Sequence, residues 1–80
     1  MKQLEDTVTL MCSDDYKDRF KAEYYQVLYR VVKLAHILDT WDTLEFTPVC
    51  PKSLLEDQEH AMRHYLQVLL QRARVEDIDL

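Results

Sequence analysis

Residues 13–41 read SDDYKDRFKAEYYQVLYRVVKLAHILDTW, and one helical repeat runs through them without a break. Phe20, Tyr24, Val27, Leu28, Val31, Leu34, Ala35, Leu38 and Trp41 recur at steps of three and four, the signature of a single buried helix face. Ser13, Asp14 and Asp15 make a good opening, because a serine hydroxyl can accept an orphan backbone N–H and carboxylates suit the positive end of the dipole. The spacing predicts a helix over about 14–41, roughly 27 residues and about 40 Å long. Tyr25, Tyr29, Val32 and His36 form a second row beside the first, so the apolar face is wider than one partner helix would cover.

Working outward, residues 42–50 form a connection, and Phe46 and Val49 within it are expected to fold back over the open end of a hairpin. Pro51 suits a first helical position, where a missing N–H costs nothing, with Cys50 at the cap. Ser53 with Glu56 offers an alternative start as a capping box. A second helix follows over about 51–75, with Leu55, Met62, Tyr65, Leu66, Leu69, Leu70 and Ala73 at helical spacing. Leu54, Ala61 and Val68 flank that row, making this helix apolar on more than one side. The acidic tail ends in Ile78 and Leu80, which are placed to clip back onto an end of the first helix. Before the first helix, Val8, Leu10 and Cys12 alternate with polar or flexible positions. Residues 1–12 therefore read as a loose N-terminal arm, or an edge strand that pairs only between copies.

The fold class is all-α, a long antiparallel helical hairpin over 13–80. Composition supports this, since the 80 residues include no glycine and only two prolines, whereas a hairpin-rich sheet needs residues that tolerate positive φ. Two helices leave much of each broad apolar face wet, and the simplest remedy is a homo-oligomeric helical bundle. The formal charge of −5 makes non-specific DNA binding unfavourable, because that binding draws on many Lys and Arg groups. No segment reads as a membrane span or a signal peptide, and the expected location is the cytoplasm. Cys12 and Cys50 read as free thiols.

Few residues make a claim to chemistry. His60 and His64 share a helix face at i and i+4, with Glu56 one turn earlier, but the order is not that of a zinc protease and a solvated face is the ordinary reading. Cys50 lacks a base and an oxyanion site in the pattern, so the chain is read as no enzyme and is assigned no cofactor. The remaining set is basic and aromatic: Tyr24, Tyr25, Tyr29 and Arg30 on the first helix, Lys52, Arg63, Arg72 and Arg74 on the second. Rings can stack on bases and guanidinium groups can hold phosphates, so such residues from adjacent copies could converge on a small anionic ligand. Set against that, each lies among fifteen acidic residues and could simply form a weak surface pair.

The run Asp15-Tyr16-Lys17-Asp18-Arg19-Phe20-Lys21-Ala22-Glu23-Tyr24, then Leu44-Glu45-Phe46-Thr47-Pro48-Val49-Cys50-Pro51, then Leu54-Leu55, Arg72-Ala73-Arg74 and Ile78-Asp79-Leu80, resembles a family of small phage and prophage proteins. That family is related to an uncharacterised gene product of crAss-like phages. It has no catalytic assignment, and it carries Glu-Gly-Ile where this chain has Glu76-Asp77-Ile78. The resemblance covers about residues 14–80 and implies a counter-defence accessory protein acting in the host cytoplasm. Such a protein would bind and sequester a host signalling nucleotide. The alternative it implies is an interaction module that binds a host or phage protein.

Overall fold

A computed structural model describes residues 4–80. A 3-10 turn, Leu4–Thr7, runs into a short helix α1, Val8–Met11; two long helices follow, α2 at Tyr16–Asp39 and α3 at Lys52–Glu76. A further 3-10 turn, Trp41–Thr43, lies between them. The domain is all-α, and α2 packs against α3. Their directions oppose each other. Tyr16 at the start of α2 bonds Glu76 at the end of α3, while Lys52 at the start of α3 lies over the Trp41 ring, 6.0 Å from its centroid.

The inward side of α3 is set by Leu55, Glu59, Met62, Leu66, Leu69, Ala73 and Glu76, all less exposed than their neighbours and spaced alternately by four and three. Phe20, Leu69, Ala73 and Ile78 form the buried cluster, with Tyr24 and Leu80 packed against it. The acidic tail does turn back, and the end it meets is the N-terminal end of α2. Asp77 makes that turn in the left-handed region, φ 56°, and Ile78 then donates its N–H to the Ala73 carbonyl at 2.8 Å. Glycine at this position would carry no Cβ penalty. Asp77→Gly is therefore expected to hold or raise stability by up to about 1 kcal/mol, whereas the β-branched Asp77→Val should cost about 1–2 kcal/mol. Urea unfolding of the two variants checks this; an equal midpoint for both would contradict the left-handed turn.

Three local expectations are corrected. The cap of α2 is Asp15, whose Oδ1 accepts the Lys17 N–H at 2.9 Å. Ser13 stands outside the helix, accepting the Asp15 N–H at 3.1 Å and donating to Asp18 at 2.9 Å. Phe46 and Val49 do not cover the hairpin end: they are 58% and 102% exposed. The connection bends at residues 45–46 and 49–50 without bringing these two side chains onto the helices, and Pro51 enters α3 in an extended conformation, ψ 142°. At the start of α3, Pro51 supplies its carbonyl to the Leu54 and Leu55 N–H groups, with no side-chain cap.

The third correction concerns the N-terminal arm, of which residues 1–3 lie outside the described residues. From Leu4 onward it is helical rather than extended. A strand without a partner leaves its backbone groups unpaired, and a helical turn pairs them locally. Thr7, 1% exposed, donates to the Leu4 carbonyl at 2.6 Å and accepts from Gln26 Nε2 at 3.0 Å. Ala22, Gln26 and Tyr29 share the α2 face that this segment meets, so α2 is packed on two sides, by the N-terminal segment and by α3.

Candidate functional site

The tyrosines of α2 are brought together. Tyr24 and Tyr25 meet edge to face at 5.3 Å between centroids, and Tyr25 stacks on Tyr29 at 5.9 Å with a 22° interplanar angle. They are not equally available. Tyr29 is 6% exposed, so its ring serves packing and offers no free face in the single chain, against the expectation that it stacks on a ligand. Burial is also the main cause that pushes its hydroxyl above the ordinary tyrosine value, with the charges of Tyr25 and Asp6 adding to it. Tyr24 and Tyr25 are half-buried and keep part of each ring open.

The basic residues of α3 are spread along the helix rather than gathered at one point. Lys52, Arg63 and Arg74 recur every eleven residues, which places them on one side of α3 at steps of about 16 Å. Arg63 is paired with Glu59 at 3.5 Å one turn earlier, and Lys52 covers Trp41. Among the described residues Arg30 and Arg74 form no ion pair, and both are exposed. A nucleotide spans on the order of 10 Å, so neighbouring members of this α3 row stand farther apart along the helix than one nucleotide is long.

Arg72 has a different role. Its Nε donates to Glu76 at 3.0 Å, its Nη2 donates to the Tyr16 hydroxyl, and its guanidinium lies over the Phe20 ring at 4.9 Å. Tyr16 in turn donates to the other Glu76 oxygen at 2.9 Å. Lys17 donates to the Asp77 carbonyl at 3.1 Å beside them. Together these bonds clasp the start of α2 to the end of α3, which takes Arg72 out of the group of cations open to a ligand. Spacing already separates it from Arg74, because Arg72 has Glu76 four residues on where Arg74 has Ile78; what spacing could not show is the long-range partner Tyr16, sixty residues before Glu76.

The clasp has a pH signature. Hydrogen bonds from Tyr16 first, then Arg72, hold the Glu76 carboxyl below the usual glutamate range. A depressed folded value means that its contribution is complete above the unfolded glutamate value, about 4.3, and is lost as pH falls through the lower folded one. The end of the hairpin is expected to loosen below about pH 4. Amide exchange at residues 74–80 in the native chain and in Glu76→Gln checks it. The variant should lose the acid-dependent step while the native chain keeps it.

Two concavities are lined by described residues. A cavity of about 360 Å³ is lined by Leu70, Ala73, Arg74, Asp77, Ile78, Asp79 and Leu80. An apolar groove of about 510 Å³ runs beside Val32, Lys33, His36 and Ile37 on α2. His60 and His64 are both exposed on α3, and no three His, Cys, Asp or Glu side chains group together among the described residues. No helix among the described residues is long and apolar enough to cross a membrane.

Against known families, residues 14–75 match Sequestin. The chain belongs to the Sequestin family. The matched stretch takes in α2, the connection and nearly all of α3, so the family is defined by the hairpin, and the helical segment before Cys12 lies outside it. No curated protein and no solved structure matches the chain.

Proposed function

We propose that this Sequestin is a non-enzymatic accessory protein of a phage or prophage whose assembled copies bind and withhold a small nucleotide signal of the host. Membership in a family whose name speaks of sequestering carries the reading. Withholding a ligand demands a binding surface rather than a reacting group, and the exposed Arg30 and Arg74 offer guanidinium groups suited to phosphate. Arg30, Arg63, Arg74 and Lys52 supply phosphate contacts from different copies, and Tyr24 and Tyr25 supply ring faces to a base. The action takes place in the host cytoplasm.

Native mass spectrometry of the full chain, purified from phage-challenged host cells, tests this. A multimer carrying a releasable mass of several hundred daltons, with the ultraviolet spectrum of a nucleobase, is the expected result. A second reading, capture of a host or phage protein, is favoured by the exposure of Phe46 and Val49 on the connection, side chains that no packing explains. Co-purification of a stoichiometric polypeptide with no nucleotide would establish that reading and remove the first.

A further inference from the structure

Alongside its inward row, α3 carries a second row one residue out of step. Leu54, Ala61, Tyr65, Val68 and Val75 are all exposed, with Gln58 and Arg72 at the intervening steps, and together they keep an alternating four-three spacing over the length of the helix. Leu54 is 58%, Tyr65 40%, Val68 39% and Val75 86% exposed. Positions one residue apart lie about 100° around a helix, so this seam lies to one side of the row packed on α2, with Arg72 reaching back from it to Tyr16 and Phe20. A sustained heptad spacing is what a further helix requires of its partner. A surface helix with one partner needs only the inward row.

We propose that this seam seats a second copy of the chain, α3 against α3 in antiparallel orientation about a twofold axis, giving a two-layer bundle of four helices. The proposal rests on the proposed function only in taking the protein to self-assemble. Three observations choose the occupant.

The first is area. The chain exposes 5956 Å² in a body of 42 × 24 × 18 Å. A compact monomer of 9.6 kDa exposes about 5,100 Å². The difference, roughly 800–900 Å², is about one partner's share of a standard stable interface.

The second is charge. Residues 52–60 of α3 carry Lys52 against Glu56, Asp57 and Glu59, a net of −2, while residues 61–76 carry Arg63, Arg72 and Arg74 against Glu76, a net of +2. Antiparallel pairing lays the acidic half of one copy along the basic half of the other, and parallel pairing lays like charges together. The same polarity suits the dipole of the helix itself, so charge selects the orientation of the pair and the apolar seam supplies its contact.

The third is self-complementarity. Apolar residues run to both ends of the seam, so turning it end for end brings apolar positions onto apolar positions, as an isologous interface demands.

Cross-linking decides the orientation in the full-length protein. In a background with Cys12→Ser and Cys50→Ser, the single variants Leu54→Cys and Val75→Cys are mixed and treated with a short bismaleimide. The expected product is a 54-to-75 cross-link between copies, with neither variant cross-linking efficiently alone, and a solution mass of about twice 9.6 kDa. Residues 54 and 75 are about 32 Å apart along α3, so a 54-to-54 product would overturn the antiparallel arrangement. A monomeric mass, or a multimer giving neither product, would overturn the seam. Val68→Glu provides a second arm: it should raise the dimer dissociation constant at least tenfold with helical circular dichroism retained, and unchanged assembly would again overturn the proposal. None of these readouts involves a nucleotide, so a failure of the ligand reading leaves them standing.

Discussion

Phe20→Ala is expected to leave the chain largely unfolded near 37 °C. Phe20 is 2% exposed and joins the two helices to the tail, touching the cluster of Leu69, Ala73 and Ile78. Truncating a buried phenylalanine costs about 3–5 kcal/mol, part lost transfer energy and part cavity. A chain of 80 residues has a total stability of about 4–12 kcal/mol, so one such loss removes a large share of it. The ring is also the surface on which the Arg72 guanidinium lies, and without it the clasp to Tyr16 and Glu76 loses its support. Thermal unfolding followed by circular dichroism at several protein concentrations measures the effect and separates it from any change in assembly. The control is Phe46→Ala: that ring is 58% exposed, and its loss should change stability by less than about 0.5 kcal/mol. Comparable losses for the two would mean that the core lies elsewhere.

The contrast between these phenylalanines also shows what could be read from the sequence. Phe20 belongs to a row repeated at threes and fours over many turns, and a pattern that long has one physical explanation, a helix face turned to a partner. The all-α class and both long helices follow from such rows. Phe46 belongs to no row. Its hydrophobicity suggested burial, but burial of a loop residue depends on whether the connection bends back, and Pro48 and Pro51 restrict that bend. The segment from Val8 to Met11 erred for a related reason. Five residues of alternation, 8–12, are too few to separate a strand from a helical turn, and the deciding contact, Thr7 with Gln26, spans nineteen residues. At the candidate site the residue types were legible and their partners were not. Arg72 differs from Arg74 in having Glu76 one turn on, a signal spacing offers, but the bond to Tyr16, far away in the chain, is what ties it to the other helix.

That division yields the sharpest expectation for ligand binding. If copies of the hairpin hold a nucleotide, Arg30→Ala and Arg74→Ala should each weaken it by tenfold or more, since a charge-assisted bond to phosphate contributes about 1.5–3 kcal/mol. Neither arginine has an ion pair among the described residues, so neither change should move the thermal midpoint by more than a few degrees. Arg72→Ala should do the reverse. It frees Tyr16 and Glu76 from their shared partner and uncovers Phe20, lowering the midpoint at unchanged multimer mass while a folded sample keeps its affinity. Arg63→Ala falls between, because the guanidinium must leave Glu59 before it can meet a phosphate. Titration calorimetry with whichever nucleotide is released in native mass spectrometry, run beside thermal melts on the same samples, gives both axes. Tight binding retained in Arg30→Ala, Arg63→Ala and Arg74→Ala alike would remove phosphate recognition by these residues. In that event the exposed connection around Phe46 and Val49 becomes the surface to test against a protein partner.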